Sequence, residues 1–165
     1  MNLTEFKEDK LKYLNNQKIK IQTQLSENRK AQEENAIVLR EAKEQGDLSE
    51  NAEFQSASEQ AMELALKEQR LIDKLSILES FSLVPNTTIS LGSAVRVKAL
   101  PFETIEGKST YQYLIVPSAL QEIANGLLSE NSPVAIAILG KNAGQTVQVQ
   151  SPVSRFDLTI EEVSL

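Results

Sequence analysis

Cysteine, histidine and tryptophan are absent from this sequence of 165 residues. Without cysteine there is no disulfide bond and no thiolate nucleophile, and without histidine there is no imidazole base. Zinc sites built on either residue type are excluded for the same reason. The chemistry that remains belongs to carboxylates, hydroxyls and lysine.

Long apolar runs and a surplus of positive charge are absent as well. The first 20 residues carry charges throughout, unlike a signal peptide, and no stretch approaches the roughly 20 apolar residues that span a membrane. We therefore expect a cytoplasmic monomer with no membrane partner. The net charge is −6, and an acidic chain lacks the cations that bind bare nucleic acid tightly. Any role at DNA or RNA is expected to run through another protein.

Proline and glycine are unevenly distributed along the chain. Residues 1–80 contain no proline and only Gly46, and they are rich in strong helix formers. All five prolines and the other five glycines follow from residue 85 onward, where alternating β-branched residues replace the helical period. The sequence predicts an α+β protein with a helical domain over 1–80, a linker over 81–89 and a second domain over 90–165.

Apolar spacing in the helical half predicts an antiparallel coiled-coil hairpin with its tip at residues 46–50. Paired positions in such a hairpin have numbers that add to a constant, and 96 fits both arms. The predicted seam pairs, in order, Ile21, Leu25, Asn28, Gln32, Asn35, Leu39 and Ala42 with Leu75, Leu71, Glu68, Leu64, Ala61, Ala57 and Phe54. The middle of this seam is polar, which leaves open either local looseness or control of the helix register.

The second half predicts a strongly twisted antiparallel sheet with one or two packed helices. Strands are expected near 91–100, 111–116 and 146–149, and a fourth through Phe156, Leu158 and Ile160. Short helices are expected over 118–125 and over 133–139, the second with Ser132 as its N-cap and Pro133 at its first position.

Two acids lie at the expected turn of the hairpin. Asp47 and Glu50 are three residues apart where the second helix opens, a spacing typical of a capping box. Alternatively, both carboxylates project from the end of the hairpin and hold Mg²⁺, which proteins bind through one or two carboxylates together with water and phosphate oxygens. Leu48, an aliphatic residue at the apex, favours burial of this end against a partner.

Charge along the hairpin is polarised toward this turn. Residues 31–63 hold nine acidic and two basic side chains, whereas residues 1–30 hold four acidic and seven basic ones. Either the acids solvate an exposed helical surface, or the rod carries negative charge into a recess that a globular domain could not enter.

The run GDLSENAEF resembles the tip motif of the bacterial Gre transcript cleavage factors. The resemblance extends over EAKEQGDLSENAEF, ENSPVAIAILGKNAGQTVQV and RFDLTIEEV. It implies a coiled-coil hairpin, a C-terminal domain of FKBP-like fold, and bacterial RNA polymerase as the partner whose secondary channel the hairpin enters. The polymerase is then the enzyme, and this chain stimulates its cleavage of backtracked RNA at the nascent 3′ end.

The resemblance also implies roles for single residues. Asp47 and Glu50 match the two essential acids of the family, which help to hold a Mg²⁺ ion shared with the polymerase active site. The positions assigned to RNA contact are Arg40, Lys43 and Phe54, and those assigned to polymerase docking are Leu48, Ser132 and Pro133. Phe54 could equally well pack in the seam opposite Ala42, and Arg40 and Lys43 could equally well be solvated side chains on the helix surface.

Two positions depart from the family pattern. Ser58 stands where many members carry a basic residue, which favours the GreA-like branch over the more basic GreB-like one. Ile136 stands where an arginine is common, in the domain that docks on the polymerase. These departures leave open an alternative function, a non-catalytic channel binder that inhibits or modulates transcription. A plain coiled-coil adaptor or chaperone is a third interpretation.

Overall fold

The computed structural model describes residues 1–44, 52–81, 87–99 and 109–165. The chain divides into two compact units, one formed by Met1–Asn15 with Ile77–Leu165 and the other by Asn16–Ser76. Within the described ranges, no helix combines the length and the apolarity that crossing a membrane requires.

Two long helices make up the N-terminal half. Helix α1 spans Leu3–Glu44 and helix α2 spans Ala52–Ser80, and neither contains proline or glycine. Helix α1 begins with a capping box that was not predicted from the sequence. Asn2 Oδ1 accepts a hydrogen bond from the Glu5 backbone N–H at 2.8 Å, and Glu5 Oε2 accepts one from the Asn2 N–H at 3.0 Å. The helical prediction for this half is confirmed over both ranges.

In the Asn16–Ser76 unit, the predicted seam is confirmed: every one of its residues is buried or half-buried. Asn28 donates to the Leu64 carbonyl at 2.9 Å and Asn35 to the Ala57 carbonyl at 2.8 Å. Because partners on α2 move backward as positions on α1 move forward, the helices are antiparallel.

The amide contacts agree with the predicted pairing. Asn28 was expected opposite Glu68 and Asn35 opposite Ala61, and each amide bonds the carbonyl of the residue one turn earlier on α2. The reason is geometric, because a helical carbonyl points toward the C-terminal end of its helix and so reaches into the next turn.

The C-terminal unit contains a five-stranded sheet. Its strands are β1 (Ala94–Ala99), β2 (Thr110–Val116), β3 (Leu127–Ser129), β4 (Thr146–Gln150) and β5 (Arg155–Ser164). They lie in the order β3-β2-β1-β5-β4, and every neighbouring pair is antiparallel except β2 with β3, which is parallel. The four predicted strands are confirmed. The prediction of a purely antiparallel sheet is wrong at β3, whose three residues are all buried and show no alternation.

The connections between strands also differ from prediction at one place. The helix expected over 118–125 is instead two single 3₁₀ turns, Ser118–Leu120 and Ile123–Asn125. Glu122 lies between these turns and exchanges two backbone hydrogen bonds with Leu127, which prevents a continuous helix. Gly126 closes the second turn with a φ of +72°. Helix α3 spans Pro133–Ile138, one residue shorter than predicted.

One face of the sheet packs with α3 to form an apolar core. The buried members of this core are Ile89, Val95, Val97, Ala99, Ile115, Ile138, Val149, Leu158 and Ile160. Apart from Ile89, which precedes β1, they come from β1, β2, β4, β5 and α3, so the C-terminal residues supply a closed core that includes the helix carrying Pro133.

The first turns of α1 pack with the C-terminal sheet, so the compact units do not divide the chain where its composition changes. Leu3, Phe6 and Leu14 are buried. Phe6 lies directly against Gly126, where an added Cβ would meet Phe6 Cζ at 2.9 Å. Periodicity predicts that these residues share a buried face, but it does not say which partner covers that face.

Polar contacts hold the same segment. Lys7 Nζ donates to the Leu165 carbonyl at 2.6 Å, and burial lowers the pKa of its ammonium group. The Tyr13 hydroxyl donates to Glu122 Oε2 at 2.7 Å, and this hydrogen bond raises the pKa of Tyr13.

Candidate functional site

The predicted metal-binding acids belong to the connection between the two long helices. Helix α1 ends at Glu44 and α2 begins at Ala52, and the connecting residues 45–51 include Asp47, Leu48 and Glu50. These three lie outside the described residues. Among the residues that are described, no group of three or more acidic, histidine or cysteine side chains could hold a metal ion.

The flanks of the connection carry the predicted RNA-contacting residues. Arg40 and Lys43 are exposed on the final turns of α1, and Lys43 lies in the last turn, where a cation also interacts favourably with the helix dipole. Phe54, in the first turn of α2, is half-buried. This burial agrees with its predicted seam position and leaves part of the ring accessible.

Part of the seam next to this end consists of small residues and one amide. Ala42 is 1% exposed and Ala57 is 4% exposed, and Asn35 donates its hydrogen bond to Ala57 from the opposite helix. Small side chains at these two positions allow a close approach of the two helices. Ser58 follows Ala57 and is half-buried.

Farther along the pair, a charged group enters the seam. Glu68 accepts hydrogen bonds from Arg29 Nε at 2.8 Å and from Gln32 Nε2 at 2.9 Å. These two donors, Arg29 first, lower the pKa of the Glu68 carboxyl. Gln32 and Glu68 were predicted seam residues, whereas Arg29 was not predicted to take part. Arg29 is adjacent to Asn28 and reaches Glu68 from the side of the seam.

The second predicted region, at the start of α3, is confirmed as a helix N-terminus. Ser132 Oγ accepts a hydrogen bond from the Ala135 backbone N–H at 3.1 Å, and Pro133 occupies the first helical position. Pro133 is exposed, and Ile136 presents 64% of its surface to solvent. The N-cap therefore fixes a short helix with an apolar outer face.

A hydroxyl and amide network holds the loop that precedes α3. Buried Ser129 has its Oγ 2.9 Å from Ser118 Oγ, and Asn131 Nδ2 donates to Ser118 Oγ at 2.7 Å. The backbone N–H of Asn131 donates to Ser129 Oγ at 3.1 Å. This network positions Ser132 for its capping role and was not foreseen from the sequence, because its members are separated along the chain.

Comparison with known proteins matches both halves of the chain. A family described as "Transcription elongation factor, N-terminal" matches residues 15–79, and one described as "Transcription elongation factor, GreA/GreB, C-term" matches residues 84–165.

Individual relatives agree with these matches. The transcription elongation factor GreA of Mesoplasma florum is 35% identical over 129 residues, which are 76% of this chain and 79% of that protein. GreA of Cereibacter sphaeroides is 39% identical over 117 residues, 69% of this chain and 70% of its own. The solved structure of GreA factor homolog 1 (Gfh1) of Thermus thermophilus is 19% identical, and the match covers 90% of this chain and 94% of that chain. Its TM-score is 0.38, too low to support a structural conclusion.

The two family matches together cover most of the chain, and each relative aligns over most of its own length and of this chain. The chain belongs to the GreA/GreB family of transcription elongation factors.

Proposed function

We propose that the protein enters the secondary channel of bacterial RNA polymerase and stimulates the polymerase's own cleavage of backtracked RNA. The observation that carries this proposal is that GDLSENAEF extends from the stretch joining two antiparallel helices into the first turn of the second. Asp47 and Glu50 fall in the stretch that joins the end of α1 to the start of α2. A narrow two-helix rod suits delivery of these carboxylates into a channel.

The donor set fits a shared Mg²⁺ ion. Two carboxylates supply the hard oxygen ligands that Mg²⁺ prefers, yet they are too few for a closed protein cage, so the polymerase and a phosphate of the RNA supply the rest. When bound, the ion would supply charge stabilisation for hydrolysis of a phosphodiester. Asp47 and Glu50 would hold and orient it, and the catalyst remains the polymerase.

The flanking residues then have supporting roles. Arg40 and Lys43 are exposed cations beside this end of the rod and suit contact with RNA phosphates. The accessible part of the Phe54 ring suits stacking on a base of the displaced 3′ end. Leu48 and the start of α3, where Ser132 is half-buried and Pro133 is exposed, would contact the polymerase itself.

The test uses stalled, backtracked polymerase complexes that carry labelled RNA. Adding the protein with Mg²⁺ should shorten the RNA from its 3′ end. Asp47→Ala and Glu50→Ala should each lower the cleavage rate by about 10²-fold or more, as expected when a group that stabilises transition-state charge is lost. The two losses should be non-additive because both acids serve one ion. Ser49→Ala, which leaves both acids in place, is the matched control.

Three outcomes would contradict the proposal. If the acid variants cleave as Ser49→Ala does, the acids serve only as helix caps. If the protein binds polymerase and inhibits it without shortening RNA, the non-catalytic alternative is correct. If the protein does not bind polymerase at all, an adaptor or chaperone role remains.

A further inference from the structure

The charged member of the predicted seam, Glu68, has partners on the opposite helix. Glu68 occupies a seam position, has 23% of its side chain exposed, and receives hydrogen bonds from Arg29 and Gln32 of α1. Charged groups at seam positions of coiled coils cost stability relative to apolar ones, and the benefit they bring is choice of register.

The other contacts of this region repeat along α2. Alanine recurs at positions 57, 61 and 65, so a slide by one turn replaces one alanine with another. Asn28 and Asn35 bond backbone carbonyls, and a helix offers an equivalent carbonyl at every turn. Neither the small residues nor the amides therefore distinguish one alignment from the next.

The Glu68 carboxylate has no equivalent one turn away. The residues four positions before and after it are Leu64 and Ile72, which cannot accept a side-chain hydrogen bond. A slide of one turn is about 5.4 Å, which takes the carboxylate out of bonding distance of Gln32. The connection does not prevent such a slide, since a segment of seven residues can extend to roughly 24 Å.

We propose that Glu68, through Arg29 and Gln32, sets the axial register of α1 against α2 and thereby positions the connecting residues 45–51. Glu68 is a positioning residue for the proposed function, on which this inference rests. It acts along the rod and touches neither RNA nor metal.

The decisive variant is Glu68→Leu, which makes the seam more apolar while removing the register signal. Helix content and unfolding temperature should be equal to or above those of the unaltered protein. Glu63→Leu removes the same charge from an exposed position of α2 and is the matched control. Glu68→Gln keeps one acceptor oxygen for Arg29, and Gln32 can turn its own amide oxygen toward the new NH2 group, so this variant should rescue the register.

The register of α1 against α2 can be measured as the distance between one spin label on each helix. Because the chain lacks cysteine, Thr23→Cys and Glu59→Cys introduce two spin-label sites, one on each helix. The starting protein, Glu63→Leu and Glu68→Gln should each give one distance. Glu68→Leu should add a second population displaced by up to about 5 Å, the rise of one turn. RNA cleavage should fall in that variant alone, to the fraction of molecules that keeps the original register, because misplaced reacting groups contribute little, with polymerase binding retained.

A single unchanged distance in Glu68→Leu would overturn the inference. Loss of helix content in that variant would overturn it too, because the carboxylate would then serve stability and not register. The distance measurement needs no polymerase, so its result stands even if the protein stimulates no cleavage. Failure of the proposed function and failure of this inference are thus separable.

Discussion

The two compact units are stabilised by different kinds of contact. In the unit that holds the sheet, Leu114, Ile115 and Ile138 are fully buried. In the two-helix unit, two of the buried residues are Asn28 and Asn35, at 3% and 5% exposure. Two helices alone cannot enclose a core, so amide hydrogen bonds replace part of the apolar contact there.

This difference separates stability from alignment. Full burial of a large aliphatic side chain contributes about 1.5–3 kcal/mol, whereas a hydrogen bond contributes a net of about 0.5–1.5 kcal/mol. The sheet unit therefore has larger single contributions to the free energy of unfolding. In the helix pair, single contributions to the free energy of unfolding are smaller, but they depend on which residues of α1 and α2 face each other.

The largest effect is expected from a core truncation in the sheet unit. Ile138→Ala removes a side chain with no exposed surface and should lower the free energy of unfolding by about 2–5 kcal/mol, since it leaves a cavity. Ile136→Ala is the matched control two positions earlier on α3, where the isoleucine is 64% exposed, and its effect should stay within about 0.5 kcal/mol. Urea unfolding followed by circular dichroism measures both. Equal losses would show that α3 does not close the core.

A smaller effect, the excess loss of stability in Gly126→Ala over Gly144→Ala, should reveal whether the first turns of α1 stabilise the sheet unit. Gly126→Ala forces a left-handed backbone conformation and places a Cβ 2.9 Å from Phe6 Cζ. Gly144→Ala meets the same backbone penalty at φ +86° but has no atom within 4 Å of the added Cβ. The backbone penalty is about 1–2 kcal/mol in each case, and overpacking at Gly126 should add about 1–3 kcal/mol.

Chemical denaturation of the two glycine variants decides the point. Similar losses in both would mean that Phe6 does not pack closely on Gly126. In the background of Phe6→Ala, the further loss caused by Gly126→Ala should fall to that of Gly144→Ala in the unaltered protein, because the clashing ring is then gone.

The sequence predicted those features of the fold that a period or a local cap encodes. Heptad spacing located the seam, alternation located four strands, and Ser132 before Pro133 located the start of α3. Strand β3 was missed because a short strand buried on both faces has no alternation. The packing of Phe6 on Gly126 was missed because periodicity identifies a buried face and not its partner.

The candidate site was predictable to a different degree. The motif around Asp47 and Glu50 was evident from the sequence, and the roles of these acids stay predictions. Burial supports the seam position of Phe54. Arg29 could not be found from the heptad pattern, because it lies beside the seam and reaches Glu68 through a long side chain. Hydrogen bonds that cross between elements depend on side-chain reach, which spacing does not encode.

The smallest effect expected is a pH dependence in the helix pair. The pKa of Glu68 lies below its ordinary value of 4.5 because Arg29 and Gln32 donate to the carboxylate. A carboxyl whose pKa is lower in the folded state contributes stability that is complete above 4.5 and is lost as the pH falls through the lowered value. The unfolding temperature of the unaltered protein should exceed that of Glu68→Gln near neutral pH, and this difference should shrink on acidification. It should also shrink at high salt, since the pair is partly exposed and ions screen it. A difference that stays constant or grows as the pH falls would show that the carboxylate is not held in its charged form by these donors.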